Sequence, residues 1–191
     1  MAPTLPMCID IETGGLKKET DKISLIGTYS EDSMFIQQFH PEPERLKEYS
    51  MSIKYLFPSD KFFLVSWNGI DFDVPFTTAK GLDLAPYRHL DLLPIARANI
   101  KVGGSFKKDD ICRLLGIYVP RTMEGRACAI AANDPDIFAG DGINGVFEHN
   151  AIDLCATLRL YNRFKLAGWL DEFLLSLAKE EQPTASEKVS T

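Results

Sequence analysis

Long hydrophobic runs are what this 191-residue sequence most plainly lacks. No apolar stretch approaches the roughly 20 residues needed to cross a bilayer. No basic segment followed by an apolar one opens the chain, so neither a membrane span nor a signal peptide is expected. Cysteine is scarce, and Cys8, Cys112, Cys128 and Cys155 lie far apart with no Cys-x-x-Cys pair. That spacing gives no sign of a zinc site or a disulfide framework; buried thiols in a reducing cytoplasm are the expectation. Positive charge is also in deficit, with 21 Lys and Arg against 27 Asp and Glu and a net charge of −6. A non-specific duplex binder would be basic, whereas an enzyme gripping a few nucleotides need not be. What is present is a chain 45% hydrophobic without internal repeats, enough for one domain with a full core. That domain is expected over residues 1–180, with a polar, disordered tail at 181–191.

Met7, Ile9 and Ile11 alternate with Cys8, Asp10 and Glu12, and Gly14-Gly15 ends the run, so this stretch reads as a strand. Two more follow at 23–29 and 34–39, spaced as an antiparallel meander. Leu46, Tyr49, Ile53 and Leu56 have helical spacing. The continuous apolar run at 61–66 suits a buried strand parallel to the first. A loop at Asn68-Gly69 leads to a helix ending near Lys80. A fifth strand is expected at 87–91, then a helix at 92–99 capped by Asp91, and another at 107–115 ending at Gly116. Residues 119–145, rich in Ala, Gly, Asp and Pro, predict short helical turns and loops. A strong helix is expected at 146–165, with Phe147, Ala151, Leu154, Leu158 and Tyr161 as its apolar stripe, and a last helix at 166–178. The fold class is α/β, a mixed five-stranded sheet with helices on both faces.

Asp10 and Glu12 sit two residues apart on the first strand and therefore share a face, their Cα atoms about 6.6–6.8 Å apart. Two carboxylates so placed repel, and a hard divalent cation such as Mg²⁺ or Mn²⁺ relieves the repulsion. The bland alternative is an acidic, solvent-facing strand. Asp73 alone is an ordinary acid at a helix N-terminus, and Asp153 alone a solvated helix position. His149 alone would more often be structural. Together they say more. With the first and fourth strands adjacent, Asp10, Glu12 and Asp73 meet at one end of the sheet, and a crossing helix can add Asp153. Four carboxylates can hold two cations about 3.5–4 Å apart, the arrangement that hydrolyses phosphodiesters.

Asp10-Ile-Glu12-Thr13, Asn68-Gly-x-x-Phe72-Asp73-x-Pro75-Phe76 and His149-Asn150-x-x-Asp153 resemble the three motifs of the DEDD 3′–5′ exonuclease superfamily, of ribonuclease H-like fold. The likeness is greatest to the YprB-type branch, whose His-Leu-Asp-Leu segment matches His89-Leu90-Asp91-Leu92. The resemblance implies metal ligation by Asp10, Glu12, Asp73 and Asp153. It also implies His149 as the residue that orients or deprotonates the attacking water, a role an imidazole suits because it titrates near neutrality. His149 precedes Asp153 by four positions, as the tyrosine does in the tyrosine subgroup, where the histidine subgroup has five. Asp71 competes with Asp73 for the second motif, and the Phe-Asp-x-Pro-Phe context favours Asp73.

Substrate contacts are expected from Thr13 and Gly14, whose backbone lets a terminal nucleotide approach, and from Asn68 and Phe72, by hydrogen bonding and base stacking. Asn68 and Phe72 also have structural readings, as a loop brace and a core ring. Lys101, Lys107, Lys108, Arg113, Arg121 and Arg126 form the one basic concentration, read as a solvated surface or a phosphate track. The expected activity is a cytoplasmic, two-metal 3′–5′ exonuclease acting on single-stranded DNA or RNA. A non-catalytic nucleic-acid or protein binding module, or an endonuclease with the same metals, is the alternative.

Overall fold

β1, Leu5–Thr13, is the strand on which the sheet is built. It pairs antiparallel with β2, Ile23–Tyr29, which pairs antiparallel with β3, Phe35–Phe39. On its other edge β1 runs parallel to β4, Phe62–Ser66, which runs parallel to β5, His89–Asp91. The order is β3-β2-β1-β4-β5, the expected mixed sheet. The computed structural model describes residues 3–31, 35–39, 43–121, 125–133 and 141–179; the expected polar tail lies outside them.

The period-two pattern of β1 divides the core. Met7, Ile9 and Ile11 face α1, Pro43–Leu56, and pack with its Leu46, Tyr49 and Ile53. Cys8 faces the other way, with Phe63, Val65 and Leu90, toward the long helix α6, Asp141–Leu166, which contributes Leu154, Leu158, Tyr161 and Phe164. Helices thus cover both faces. β4 is buried along its whole length, as its unbroken apolar run requires. Phe63 meets Tyr161 of α6 at 5.9 Å and Phe173 of α7, Asp171–Lys179, at 5.4 Å between ring centroids. Burying such a ring stabilises by about 1.5–3 kcal/mol.

The remaining helices are α2 at Asp73–Ala79, α3 at Leu92–Asn99, α4 at Lys108–Leu114 and α5 at Gly125–Asn133. α3 begins as expected: Asp91 caps it by accepting from the Leu93 amide at 3.0 Å. Gly116 follows the C-cap of α4, Leu115, with a φ of +70° that costs a glycine little. Four expectations shift. The last helix, expected at 166–178, begins at Asp171 because a turn through Gly168, at a φ of +74°, ends α6 at Leu166. β5 starts at His89, because Tyr87 instead turns inward and donates its hydroxyl to Phe57 O at 2.8 Å. The stretch expected as short helical turns and loops contains a longer helix of 9 residues, α5, where alanines, the best helix formers, outweigh the glycine. α6 begins at Asp141 rather than 146 and is 26 residues long; Val146, expected to start it, lies fully buried inside it.

Candidate metal centre and active site

Asp10 stands opposite Gly27 of β2, and Gly27 opposite Gln37 of β3. This row across three strands receives Asn150 of α6. Its Nδ2 donates to Asp10 Oδ2 at 2.9 Å and to Asp10 O at 3.2 Å. Its Oδ1 accepts from Gln37 Nε2 at 2.9 Å, which also donates to Phe147 O at 2.9 Å. Gly27 is the reason the amide fits: a Cβ there would lie 2.0 Å from Asn150 Oδ1. The His-Asn-x-x-Asp motif therefore locks α6 to the sheet through its second residue, one turn before Asp153.

β1 and β4 pair only as far as Cys8 and Val65. Beyond that point Asp73 takes over, its Oδ1 accepting from the Ile11 amide at 3.0 Å. Asp73 is buried, while Asp71 is exposed. The loop that aims Asp73 is braced by residues of the sheet. Asp91 accepts from the amides of Asn68 at 2.8 Å and Ile70 at 3.1 Å. Ser66 Oγ accepts from Gly69 N at 3.1 Å and lies 2.7 Å from His89 Nε2. Asn68 holds a φ of +66°, a conformation asparagine tolerates better than most residues. Burial lowers the His89 imidazole, with Asp91 opposing. The His-Leu-Asp-Leu segment is thus the brace of the loop before Asp73.

Asp153 brings side-chain cations with it. Lys108, at the start of α4, has its side chain 9% exposed, and its Nζ lies 2.7 Å from Asp153 Oδ2 and 3.4 Å from Asp10 Oδ1. Arg121 grips Asp109 through Nε at 2.8 Å and Nη2 at 2.5 Å, and its Nη1 abuts Asp153 Oδ1. The same Nη1 is 3.4 Å from His149 Nδ1, and His149 Nε2 faces Glu12 Oε1 at 3.9 Å. The basic residues read as a surface therefore divide. Lys108 and Arg121 turn inward, which corrects their reading as solvated or phosphate-tracking. Lys101 and Lys107 are exposed, Arg113 pairs with Asp110 at 3.0 Å, and the Arg126 side chain lies outside the described residues.

The acids respond to this crowding. Burial pushes Asp10 up to about 6, Asp153 adding and Lys108 and Asn150 opposing. Glu12 is raised well above its ordinary value by burial, then by Asp10, Asp153 and Asp73. Burial and then Asp10 push Asp73 up to about 8, against Lys108 and the Ile11 amide. Burial would raise Asp153 as well, but Lys108 and Arg121 outweigh it and hold the carboxyl below its ordinary value. Five carboxylates, counting Asp109, stand against two side-chain cations, so three formal negative charges remain. Buried charge left in that state is costly, and an all-oxygen donor set from Asp10, Glu12, Asp73 and Asp153 fits hard divalent cations such as Mg²⁺ or Mn²⁺.

Asp10, Glu12, Asp73, His149 and Asp153 thus gather in one cluster. The expected substrate residues lie beside it. Thr13 donates its hydroxyl to Gly15 O at 2.6 Å, and the Gly14 amide donates to Lys22 O at 3.0 Å, so both hold the turn after Glu12. Phe72 packs on Phe76 with ring centroids 5.6 Å apart, and Asn68 lies in the loop before Asp73. Sequence reasoning passed over the Gly27–Gln37–Asn150 seat, the two inward cations and Cys128, which α5 buries against the cluster.

A family described as the RNase_H superfamily matches residues 7–165. The chain belongs to the RNase_H superfamily. Solved structures with the same fold include the family B DNA polymerase of the hyperthermophilic archaeon Pyrobaculum calidifontis, at 14% identity and a TM-score of 0.68 over 85% of this chain and 24% of that one. A structure of exonuclease I matches at 15% identity and a TM-score of 0.60, covering 88% of this chain and 43% of that one. Escherichia coli exonuclease I in complex with a dT13 oligonucleotide matches at 16% identity and a TM-score of 0.53, over 85% and 41%. This RNase_H superfamily chain spans less than half the length of each of these polypeptides. No curated protein sequence matches it. Among the described residues, no helix is long and apolar enough to cross a membrane.

Proposed function

We propose that this RNase_H superfamily domain is a metal-dependent 3′–5′ exonuclease on single-stranded DNA or RNA. The reading is carried by one observation: carboxylates from β1, α2 and α6 converge in a buried cluster whose own cations do not balance it. Asp10, Glu12, Asp73 and Asp153 would hold two Mg²⁺ or Mn²⁺ ions, which supply Lewis-acid charge and an activated water. His149 presents Nε2 beside Glu12 and accepts the water's proton there. In that role the ring hydrogen sits on Nδ1, so Arg121, which can only donate, releases its 3.4 Å contact there. Lys108 keeps Asp153 ionised and fixes its spacing from Asp10. Thr13 and Gly14, immediately after Glu12, present backbone to the terminal nucleotide, and Asn68 and Phe72 approach its sugar and base from the loop before Asp73. The motif resemblance to DEDD exonucleases, and to their YprB-type branch, supports the same assignment and the 3′ polarity.

The test is a time course on 5′-labelled single-stranded DNA and RNA with Mg²⁺ or Mn²⁺. Stepwise shortening from the 3′ end is expected, lost in Asp10→Ala and Asp153→Ala variants that still fold. Internal cuts would make the domain an endonuclease. A second reading, a binding module without catalysis, draws on Lys108 and Arg121 already engaging Asp10 and Asp153. Calorimetric titration with Mg²⁺ separates the two, since the module takes up no metal at this cluster.

A further inference from the structure

Glu12 of β1, Cys128 of α5 and His149 of α6 bring one oxygen, one sulfur and one nitrogen to within 4.8 Å of one another, all three residues buried. We propose that these three side chains form a second cation site, for a borderline-soft transition metal such as Zn²⁺, overlapping the carboxylate centre. The donor set decides the ion. A thiolate and an imidazole beside a single carboxylate are poor ligands for Mg²⁺, which takes oxygen, and good ones for Zn²⁺. Three protein ligands leave a fourth tetrahedral position for water. His149 binds through Nε2, the nitrogen that faces Glu12. The ring hydrogen then sits on Nδ1, so Arg121 yields that contact and keeps its two bonds to Asp109. A cysteine binds a cation as its thiolate, so the thiol proton must leave. Binding exchanges that proton for the metal and releases it to solvent.

Occupancy takes Glu12 and His149 away from hydrolysis. On the exonuclease reading above, Zn²⁺ therefore inhibits in the presence of Mg²⁺, and this consequence rests on that reading while the site itself does not.

The experiment titrates chelator-treated protein with Co²⁺, whose thiolate charge-transfer absorption in the near ultraviolet reports a sulfur ligand without turnover. A band that Zn²⁺ abolishes is expected, lost in Cys128→Ser and Cys128→Ala, with Zn²⁺ affinity falling by at least about tenfold. X-ray absorption at the zinc edge of the unaltered protein is expected to show one sulfur at about 2.3 Å, which needs no variant to fold. A band that persists in both variants, or a zinc shell of nitrogen and oxygen alone, overturns the site. Inhibition is read separately: cleavage by Cys128→Ser should need at least about tenfold more Zn²⁺ to be halved. A parent that cleaves nothing, yet shows the band, keeps the site and rejects the exonuclease.

Discussion

Replacing Gly27 with alanine adds one methyl group and tests how α6 is seated on the sheet. The new Cβ would lie 2.0 Å from Asn150 Oδ1 and 2.7 Å from Leu154 Cδ1. The leucine methyl can turn aside. The amide has no such freedom, because Gln37 holds its oxygen and Asp10 holds its nitrogen. Overpacking of this kind costs about 1–3 kcal/mol, and each hydrogen bond the displaced amide surrenders adds about 0.5–1.5 kcal/mol. A net loss of about 2–4 kcal/mol is expected. At about 2–4 °C per kcal/mol for a chain of this length, Tm falls by roughly 4–16 °C. Thermal and denaturant unfolding of four proteins, parent, Gly27→Ala, Asn150→Ala and the double variant, completes the test. Asn150→Ala removes the obstructing amide, so Gly27→Ala should cost less in that background, with a coupling of about 1–2 kcal/mol. Because Asn150 also holds Asp10, both single variants should bind Mg²⁺ more weakly. A strictly additive cycle, or a Gly27→Ala protein as stable as the parent, would refute the seating argument.

Other outcomes follow from the charges. Asp10 and Asp73 have folded-state values pushed up to about 6 and about 8 from 3.8, so the folded protein keeps protons the unfolded chain has lost. Their stabilising effect is complete below about pH 4 and fades as pH rises through 6 and then 8, by roughly 3 kcal/mol for Asp10 alone. Melting in chelator across this range should show Tm declining with pH and Mg²⁺ suppressing the decline; a rise in Tm over the same range contradicts it. Asp73→Asn keeps an acceptor for the Ile11 amide and removes the buried charge. It should melt above the parent at pH 8 in chelator and bind divalent cations more weakly, by calorimetry. Lys108→Met strips Asp10 and Asp153 of their shared ammonium and should cost about 3–5 kcal/mol without metal, partly recovered by Mg²⁺. Equal melting of this variant and the parent in chelator would show that the ammonium does not bridge them. His149→Ala should lower turnover while calorimetric Mg²⁺ binding survives, and a rate equal to the parent's rejects the ring as proton acceptor.

What the sequence disclosed and what it hid follow from the range of the forces involved. The alternation of β1, the apolar run of β4 and the Asp91 cap are local patterns, and each stands in the structure close to its expected place. The need for a compensating charge was legible in the two-residue spacing of Asp10 and Glu12, while Asp73 and Asp153 were singled out by the motifs that resemble a known family. Where that charge comes from is settled by packing. Lys107-Lys108-Asp109-Asp110 has the look of a solvated charge run, and nothing in its composition separates one lysine from the other. The helix phase does separate them. Lys108, Ile111 and Cys112 stand at i, i+3 and i+4, one face of α4, and the two apolar members are fully buried. A lysine on that face must enter the interior and find an anion there, which Asp153 and Asp10 provide. Arg121 and Cys128 offer no comparable clue, since one follows an irregular segment and the other sits among alanines in a stretch where only short helical turns were expected. The first two acids were thus written in spacing and the other two in motif, whereas one cation was written in helical phase and the rest of the site only in the fold.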